Sequence, residues 1–490
     1  MVGEDTFYEA AGQRDSRFAT LVRQVALADL DWLTRFARWL RTDANMRSAS
    51  LVLAAEAAKA SVDAGQTGSR AAVDAVLQRA DEPGEMLSYW ISHYGKSIPK
   101  PVKRGVADAA ARLYNEKSYL KWDSGSRGVR FADVIQLAHV DPRGEWQSAL
   151  FKYAIENRLG VEGLELPARL ETLCANADLR GTDAATINRW AREGLLADKL
   201  AFAGMTWEAV PSLVNGAWTR ELWESIIPSM GLMALTRNLR NFDQASVSDE
   251  VAAKVAARLS DPEQVARSRQ FPFRFYAAHK NVGSLRWGHV LETAVKHSLA
   301  NVPALPGRTL VLVDQSPSMF PGTYYSGNAS KSDIVFAEKA ALFGTALALR
   351  AEHADLYGYG FKSYRVGFGK GDAVLRTMQK FHQENGTDTL GVLQARFDNH
   401  DRVVIVTDEQ TTSIDPHWRS YYGLPAVRPI DQLVPKHVNI YSWNIAGYEH
   451  GHGGGPNWHG FGGLTDRGFD MIPLLERGRD ARWPWDEQAR

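Results

Sequence analysis

The sequence predicts a two-part molecule: an all-α stack of helix pairs over residues 1–300, then a doubly wound α/β domain over 301–490. Three observations carry this. Before Pro303–Pro306, apolar residues recur at three- and four-residue spacing, the period of amphipathic helices. After it, short β-branched runs alternate with helical stretches, the pattern of a parallel sheet covered on both faces. Two of those runs end in an aspartate, where such sheets gather their ligands.

In the first part, Phe18–Leu27 and Leu30–Leu40 are amphipathic. Further helical stretches fall near 50–62, 70–80, 84–95, 101–115, 131–139, 185–204, 220–240, 248–259 and 285–299. The loops between them are short, as in antiparallel helix pairs. Pairs stacked in series make an α-solenoid, inferred here from their rhythm because no crisp repeat period can be counted. In the second part, strand 309–314 precedes helix 333–350, strand 354–361, helix 389–398, and strands 402–407 and 437–445.

Composition narrows the class. The 490 residues suffice for two or more domains, and 44% hydrophobic content suffices for their cores. Cys174 is the single cysteine, so neither a disulfide framework nor a cysteine zinc site is expected, and the simplest reading of that thiol is a small buried hydrophobe. The N-terminus lacks a basic segment followed by an apolar one, and no stretch approaches the roughly 20 apolar residues of a membrane span. A soluble, cytoplasmic, monomeric protein is expected. With a formal net charge of +0, nucleic-acid binding would need a local basic patch.

Residues 309–318 form an apolar strand that runs into Asp314-Gln-Ser-Pro-Ser318. Asp314 offers a carboxylate, and Ser316 and Ser318 offer hydroxyls at alternate positions, a donor set suited to a hard divalent cation such as Mg²⁺. The second strand, 402–407, ends in Asp408, and Thr387 on the intervening loop adds another hydroxyl. Asp314 and Ser316 could alternatively do no more than cap the next helix. Asp314, Ser316, Ser318, Thr387 and Asp408, in this order, resemble the metal-ion-dependent adhesion site of von Willebrand factor A domains.

Positive charge concentrates between Lys96 and Arg130: nine Lys or Arg against three acids, hence +6 within thirty-five residues of a neutral chain. Lys100, Lys103 and Arg104 lie three or four apart, on one helix face. Lys117, Lys121, Arg127 and Arg130 are expected on the following loop, with Tyr114, Tyr119 and Trp122 interleaved as stacking surfaces. That mixture suits RNA, whose phosphates need charge and whose unpaired bases need a π-face. The competing reading is a solvated basic face with Trp122 in the core.

Other features carry less. Gly367–Asp372 lacks the spacing and the strand-to-helix setting of a phosphate loop. Loop 447–463, with His450, His452 and His459, reads as a flexible glycine-rich insertion rather than a transition-metal site. Ser316 and Ser318 have no histidine and acid at a recognisable triad spacing.

Four stretches together resemble TROVE-domain proteins, the Ro ribonucleoprotein family, in a bacterial form. They are Lys117–Trp122 continuing through Arg130–His139; Trp223-Glu with Met233–Arg240; Ala266–Arg274; and the Asp314 motif with Gly386-Thr-Asp388 and Thr407-Asp408-Glu409. The resemblance implies a ring of HEAT-like helical repeats followed by a von Willebrand A domain. It implies small noncoding Y-like RNA on the outer surface, with His139 among the contact segment. Single-stranded 3′ ends of misfolded or decaying RNA would enter the ring, and Arg237, Arg240, Arg269 and Arg274 are the arginines expected to line it. The implied role is scaffolding in RNA quality control, in bacteria often beside a 3′ exoribonuclease, with no catalysis by the chain itself. One departure is visible: Phe131 stands where eukaryotic members carry a histidine tied to RNA contact. The alternative from another class is a protein-interaction module whose metal takes a partner's carboxylate. An enzyme, with Mg²⁺ activating water, ranks third.

Overall fold

Short polar residues at strand and helix boundaries set the local structure. Asp29 accepts the Trp32 amide at 2.8 Å and starts helix Leu30–Thr42. Asn115 and Ser118 close a reciprocal capping box at 2.9 and 2.8 Å that opens helix Glu116–Trp122. Pro99 and Pro101 bracket the start of helix Lys100–Leu113, where the missing amide costs nothing. The computed structural model describes residues 11–214, 218–320, 334–411, 415–445, 457–463, 468–478 and 482–487. These fall into two units, one over Ala11–Met230 with the segment at 482–487, the other from Gly231 onward to residue 478.

The first unit is helical. Helix Arg47–Asp63 lies at its centre and is buried without interruption from Ser50 to Ala58. Its alanines let helices Ala11–Ala28, Leu30–Thr42 and Ser69–Val76 pack closely around it. Asp81 and Glu82 are fully buried, and each is answered. Glu82 accepts Arg41 at 2.6 Å and the amides of Gln78 and Arg79 at 2.6 and 2.9 Å. Asp81 takes Arg79, Arg47 and Arg127 at 2.6, 3.1 and 3.0 Å. Burial would raise the Asp81 pKa, but these three guanidiniums hold it below its ordinary value. From the far end of the chain, Trp485 packs on Trp32, Phe36 and Trp39 at ring distances of 5.6, 4.7 and 5.1 Å. That segment therefore belongs with the helices.

The second unit opens with helices Leu232–Gln244, Asp249–Leu259, Pro262–Ser268, Pro272–Asn281 and Leu285–Ser298, and continues into a six-stranded sheet with further helices between its strands. Its strands are β1 (Leu305–Asp314), β2 (Ala351–Tyr359), β3 (Ser363–Arg365), β4 (Arg402–Thr407), β5 (Asn439–Asn444) and β6 (Trp458–Gly462). Their order is β3-β2-β1-β4-β5-β6, with every pair parallel except β2 with β3. Period-two alternation splits β1 between two cores. Val311 and Val313 face Phe343, Leu347 and Phe469, whereas Leu310 and Leu312 face Leu390, Leu393 and Ile405. A side chain at Gly344 would put its Cβ 2.5 Å from Val313, so glycine there lets helix Phe336–Arg350 reach the sheet. The Phe271-Pro272-Phe273 segment also enters this core, with Phe271 stacked on Phe469 at 5.6 Å. The unit that holds the sheet thus begins well before the change of pattern at residue 300.

Several expected elements differ. The stretch 185–204 is two helices, Ala184–Arg192 and Leu196–Phe202, interrupted at Gly194 with φ +73°. The stretch 220–240 breaks at Pro228, which cannot donate the next helical hydrogen bond. Helix Glu116–Trp122 replaces the expected loop, because the capping box starts it. The edge strands β3 and β6 were not anticipated. Trp458–Gly462 falls inside the supposed flexible insertion, yet pairs with β5 residue by residue.

Candidate functional site

The two aspartates meet at the carboxyl edge of adjacent parallel strands. In the register of β1 and β4, Val313 lies opposite Val406, so Asp314 and Asp408 leave the sheet side by side. Asp314 Oδ1 accepts the Ser316 amide at 2.8 Å, and Oδ2 accepts the Thr407 hydroxyl at 2.7 Å. Ser316 Oγ and Ser318 Oγ are 3.2 Å apart. Asp408 Oδ1 takes the Gln410 amide at 3.0 Å, while its Oδ2 is buried with no hydrogen-bond partner. Burial first, and then the charge of Asp408, push Asp314 up to about 7. Burial likewise raises Asp408, against the Ser318 hydroxyl and the Gln410 amide.

Thr387 is buried on a loop stitched to the same edge. The Glu384 amide donates to Gln315 O at 2.9 Å, the Phe361 amide to Asn385 O at 2.7 Å, and the Asp388 amide to Gly360 O at 3.0 Å. An orphaned carboxylate oxygen, a second carboxylate forced toward its neutral form, and neighbouring hydroxyls are what a hard cation would satisfy. The donor set therefore fits Mg²⁺. Among the described residues no group of three or more His, Cys, Asp or Glu side chains is placed to hold a metal ion, so hydroxyls would have to complete any coordination here.

Three residues around this edge were given no role by the sequence reading, although Thr407 and Glu409 stand in its Thr407-Asp408-Glu409 motif. Thr407 orients Asp314 and also accepts the Glu409 amide at 3.0 Å. Glu409 is buried at φ +64° and accepts the Ser442 hydroxyl at 2.7 Å. Arg419, buried on helix Pro416–Tyr421, grips Asp388 with two bonds of 2.8 and 2.7 Å, fixing the residue next to Thr387. Thr407 and Glu409 had a signal, their places on either side of Asp408. Arg419 lies 31 positions from its partner with nothing local to mark it.

In the helical unit, the structure gathers part of the basic set. Lys100, Lys103, Arg104 and His139 line one cavity of about 390 Å³ with Arg70, Ala107, Asp108, Ala111, Ala138 and Asp141. No ion pair to Lys100, Lys103 or Arg104 forms among the described residues. His139 closes helix Phe131–Ala138 in the left-handed region at φ +54°.

The neighbouring residues differ from expectation. Lys117 and Lys121 stand exposed on helix Glu116–Trp122 rather than on a loop. Arg127 is spent on Glu85 and Asp81 at 3.1 and 3.0 Å, and Arg130 pairs with Asp123. Tyr114 and Tyr119 are buried and offer no stacking surface. Tyr114 lies flat on Phe131, rings 3.8 Å apart and 4° from parallel. That stack explains the departure at position 131: the ring is core, out of reach of RNA. Trp122 is half-buried, with Arg79 over its ring at 4.3 Å and Lys121 at 5.0 Å.

Arg237 and Arg240 share the exposed face of helix Leu232–Gln244. Arg269 follows helix Pro262–Ser268 at φ +52°, and Arg274 is exposed on helix Pro272–Asn281. His459 sits in β6 near Asn439, 3.3 Å from its amide oxygen, and burial lowers its pKa. His450 and His452 lie outside the described residues.

Residues 199–289 match the family described as TROVE domain. That stretch of the chain is similar to a TROVE domain. All four arginines named above lie inside the match, whereas the metal-type edge and the lysine cavity lie outside it. Among solved structures, the Ro (Rsr) protein of Deinococcus radiodurans superposes with a TM-score of 0.68 at 20% identity, over 94% of this chain and 93% of that one. The chain thus shares the fold of that bacterial Ro protein: helices first, then the mostly parallel six-stranded sheet. A shorter likeness, 37% identical over 82 residues, joins it to mouse telomerase protein component 1. That match spans 16% of this chain and 3% of the mouse protein. Among the described residues, no helix is long and apolar enough to cross a membrane.

Proposed function

We propose that this protein binds RNA through its helical unit and acts as the scaffold of a ribonucleoprotein. One observation supports the reading above the others: Lys100, Lys103, Arg104 and His139 line one cavity, and among the described residues no acid forms an ion pair with the lysines or Arg104. Uncompensated cations held together cost electrostatic energy that an anionic ligand recovers. Small structured noncoding RNA of the Y type is the ligand class that the likeness to Ro adds. Single-stranded 3′ ends of misfolded or decaying RNA are the second class, with Arg237, Arg240, Arg269 and Arg274 as their contacts. A 3′ exoribonuclease is the working partner such a scaffold would serve. In the α/β unit, Asp314, Ser316, Ser318, Thr387 and Asp408 would hold Mg²⁺.

The test is recovery of bound RNA. Purified wild-type chain should carry a small set of structured RNAs, identified by sequencing. The triple variant Lys100→Ala/Lys103→Ala/Arg104→Ala should lose most of them. Equal recovery by the two proteins moves the site elsewhere.

A second reading rests on a different observation. Trp418, Tyr421 and Tyr422 are 54%, 79% and 45% exposed beside Arg419, whose partner Asp388 neighbours Thr387. Exposed aromatics beside a cation site suit docking of a protein that presents a carboxylate. Mg²⁺-dependent protein binding that survives the triple variant but is lost in Trp418→Ala would favour it.

A further inference from the structure

The lysine cavity has a shape as well as a charge. Lys100, Lys103, Arg104, Ala107 and Ala111 form one stripe along helix Lys100–Leu113, at offsets of 3, 4, 7 and 11. The cations occupy its first two turns, where the helix dipole also favours an anion. Farther along, the methyls of Ala107, Ala111 and Ala138 line the space beside Arg70 and Asp108. Arg70 is already satisfied, since Asp108 accepts its Nε and Nη2 at 2.6 and 2.8 Å. Three cations and the imidazole of His139 therefore face a recess whose one other acid is Asp141.

An internal phosphodiester matches this recess poorly. It carries one negative charge and is flanked by two riboses, which a continuous strand would have to press against the rim. A terminal phosphate is free on one side and carries more charge, and a triphosphate carries more still. Concavity and three converging cations together fit a chain end better than a chain middle.

We infer that this cavity seats a terminal phosphate of the bound RNA, with Lys100, Lys103 and Arg104 as its ligands and His139 as a further donor. This rests on the RNA-binding reading and names which part of the RNA the cavity holds. Asp141 opposes the ligand and limits its affinity.

The experiment compares one stem-loop RNA in four forms, with 5′-hydroxyl, 5′-monophosphate, 5′-triphosphate or 3′-phosphate ends. Binding to the full chain is measured without added divalent cation. Affinity should rise at least tenfold from the 5′-hydroxyl form to the best phosphorylated form, and which end gains assigns the source of the phosphate. Inorganic tripolyphosphate should displace that advantage and leave hydroxyl-ended binding in place. In Lys103→Ala/Arg104→Ala the four forms should converge to within about twofold, whereas Asp141→Asn should widen the gap. Lys121→Ala, outside the cavity, should lower all four alike. Equal wild-type affinity for all four ends overturns the inference and leaves the RNA-binding reading standing. Absence of binding to every form removes that reading itself.

Discussion

Asp314 is a carboxylate that the fold holds close to neutrality. Its pKa is raised from 3.8 to about 7 by burial and by Asp408. The folded state therefore binds this proton more tightly than the unfolded state does. The resulting stability is fully present below about pH 4 and is lost as pH rises through about 7. Metal-free protein should accordingly lose melting temperature across that window, and Asp314→Asn should flatten the loss. Mg²⁺, binding the ionised pair, should raise Tm more at pH 8 than at pH 5. Equal shifts at the two pH values, measured by thermal denaturation, would count against the metal assignment. Arg419 supplies a second residue-scale expectation. It and Asp388 are both buried, so Arg419→Ala leaves a carboxylate uncompensated and should cost ~3–5 kcal/mol in urea denaturation. A loss under 1 kcal/mol would mean that the loop bearing Thr387 is held otherwise. The meeting of Asp314 and Asp408 was legible because each stands at the end of an apolar strand. The Arg419 clamp was not, because ion pairing between distant positions leaves no local pattern.

At the scale of elements, the basic segment separates into two kinds of cation. Lys100, Lys103 and Arg104 face a cavity; Arg127 and Arg130 are structural, answering Asp81, Glu85 and Asp123. Charge counting along the sequence could not tell them apart, because the acids come mostly from another helix. Arg127→Ala should therefore lower stability, leaving buried Asp81 short of a partner, and barely change RNA affinity. The reverse pattern in a paired stability and binding measurement would restore Arg127 as a contact. Phe131→Ala should cost ~3–5 kcal/mol by emptying the stack on Tyr114. The same contrast governs the strands. β1 and β4 were plain in the sequence because each is an apolar run buried on both faces. β3 spans three residues, and β6 is rich in glycine, so neither carries a periodicity that distinguishes it from a loop.

Across the whole molecule, the helical unit carries the proposed lysine site for RNA, and the sheet unit carries the metal-type edge together with the arginines proposed for 3′ ends. Arg237, Arg240, Arg269 and Arg274, inside the TROVE match, belong to the second unit. If these arginines hold unpaired 3′ ends, RNA with a single-stranded tail should bind at least tenfold more tightly than the same stem made blunt. One stacked or clamped nucleotide is worth ~1–3 kcal/mol. Equal affinities in a titration would remove single-strand recognition and leave stem binding intact. The central claim, that Lys100, Lys103 and Arg104 neutralise RNA phosphates, is tested most directly by salt. Binding of one structured RNA should be measured from about 50 to 200 mM salt for wild type and for the triple alanine variant. Each phosphate contact contributes roughly 0.7–0.9 to the slope of log affinity against log salt, so the variant's slope should be shallower by about 2–3. An unchanged slope, with affinity also unchanged, would contradict the account.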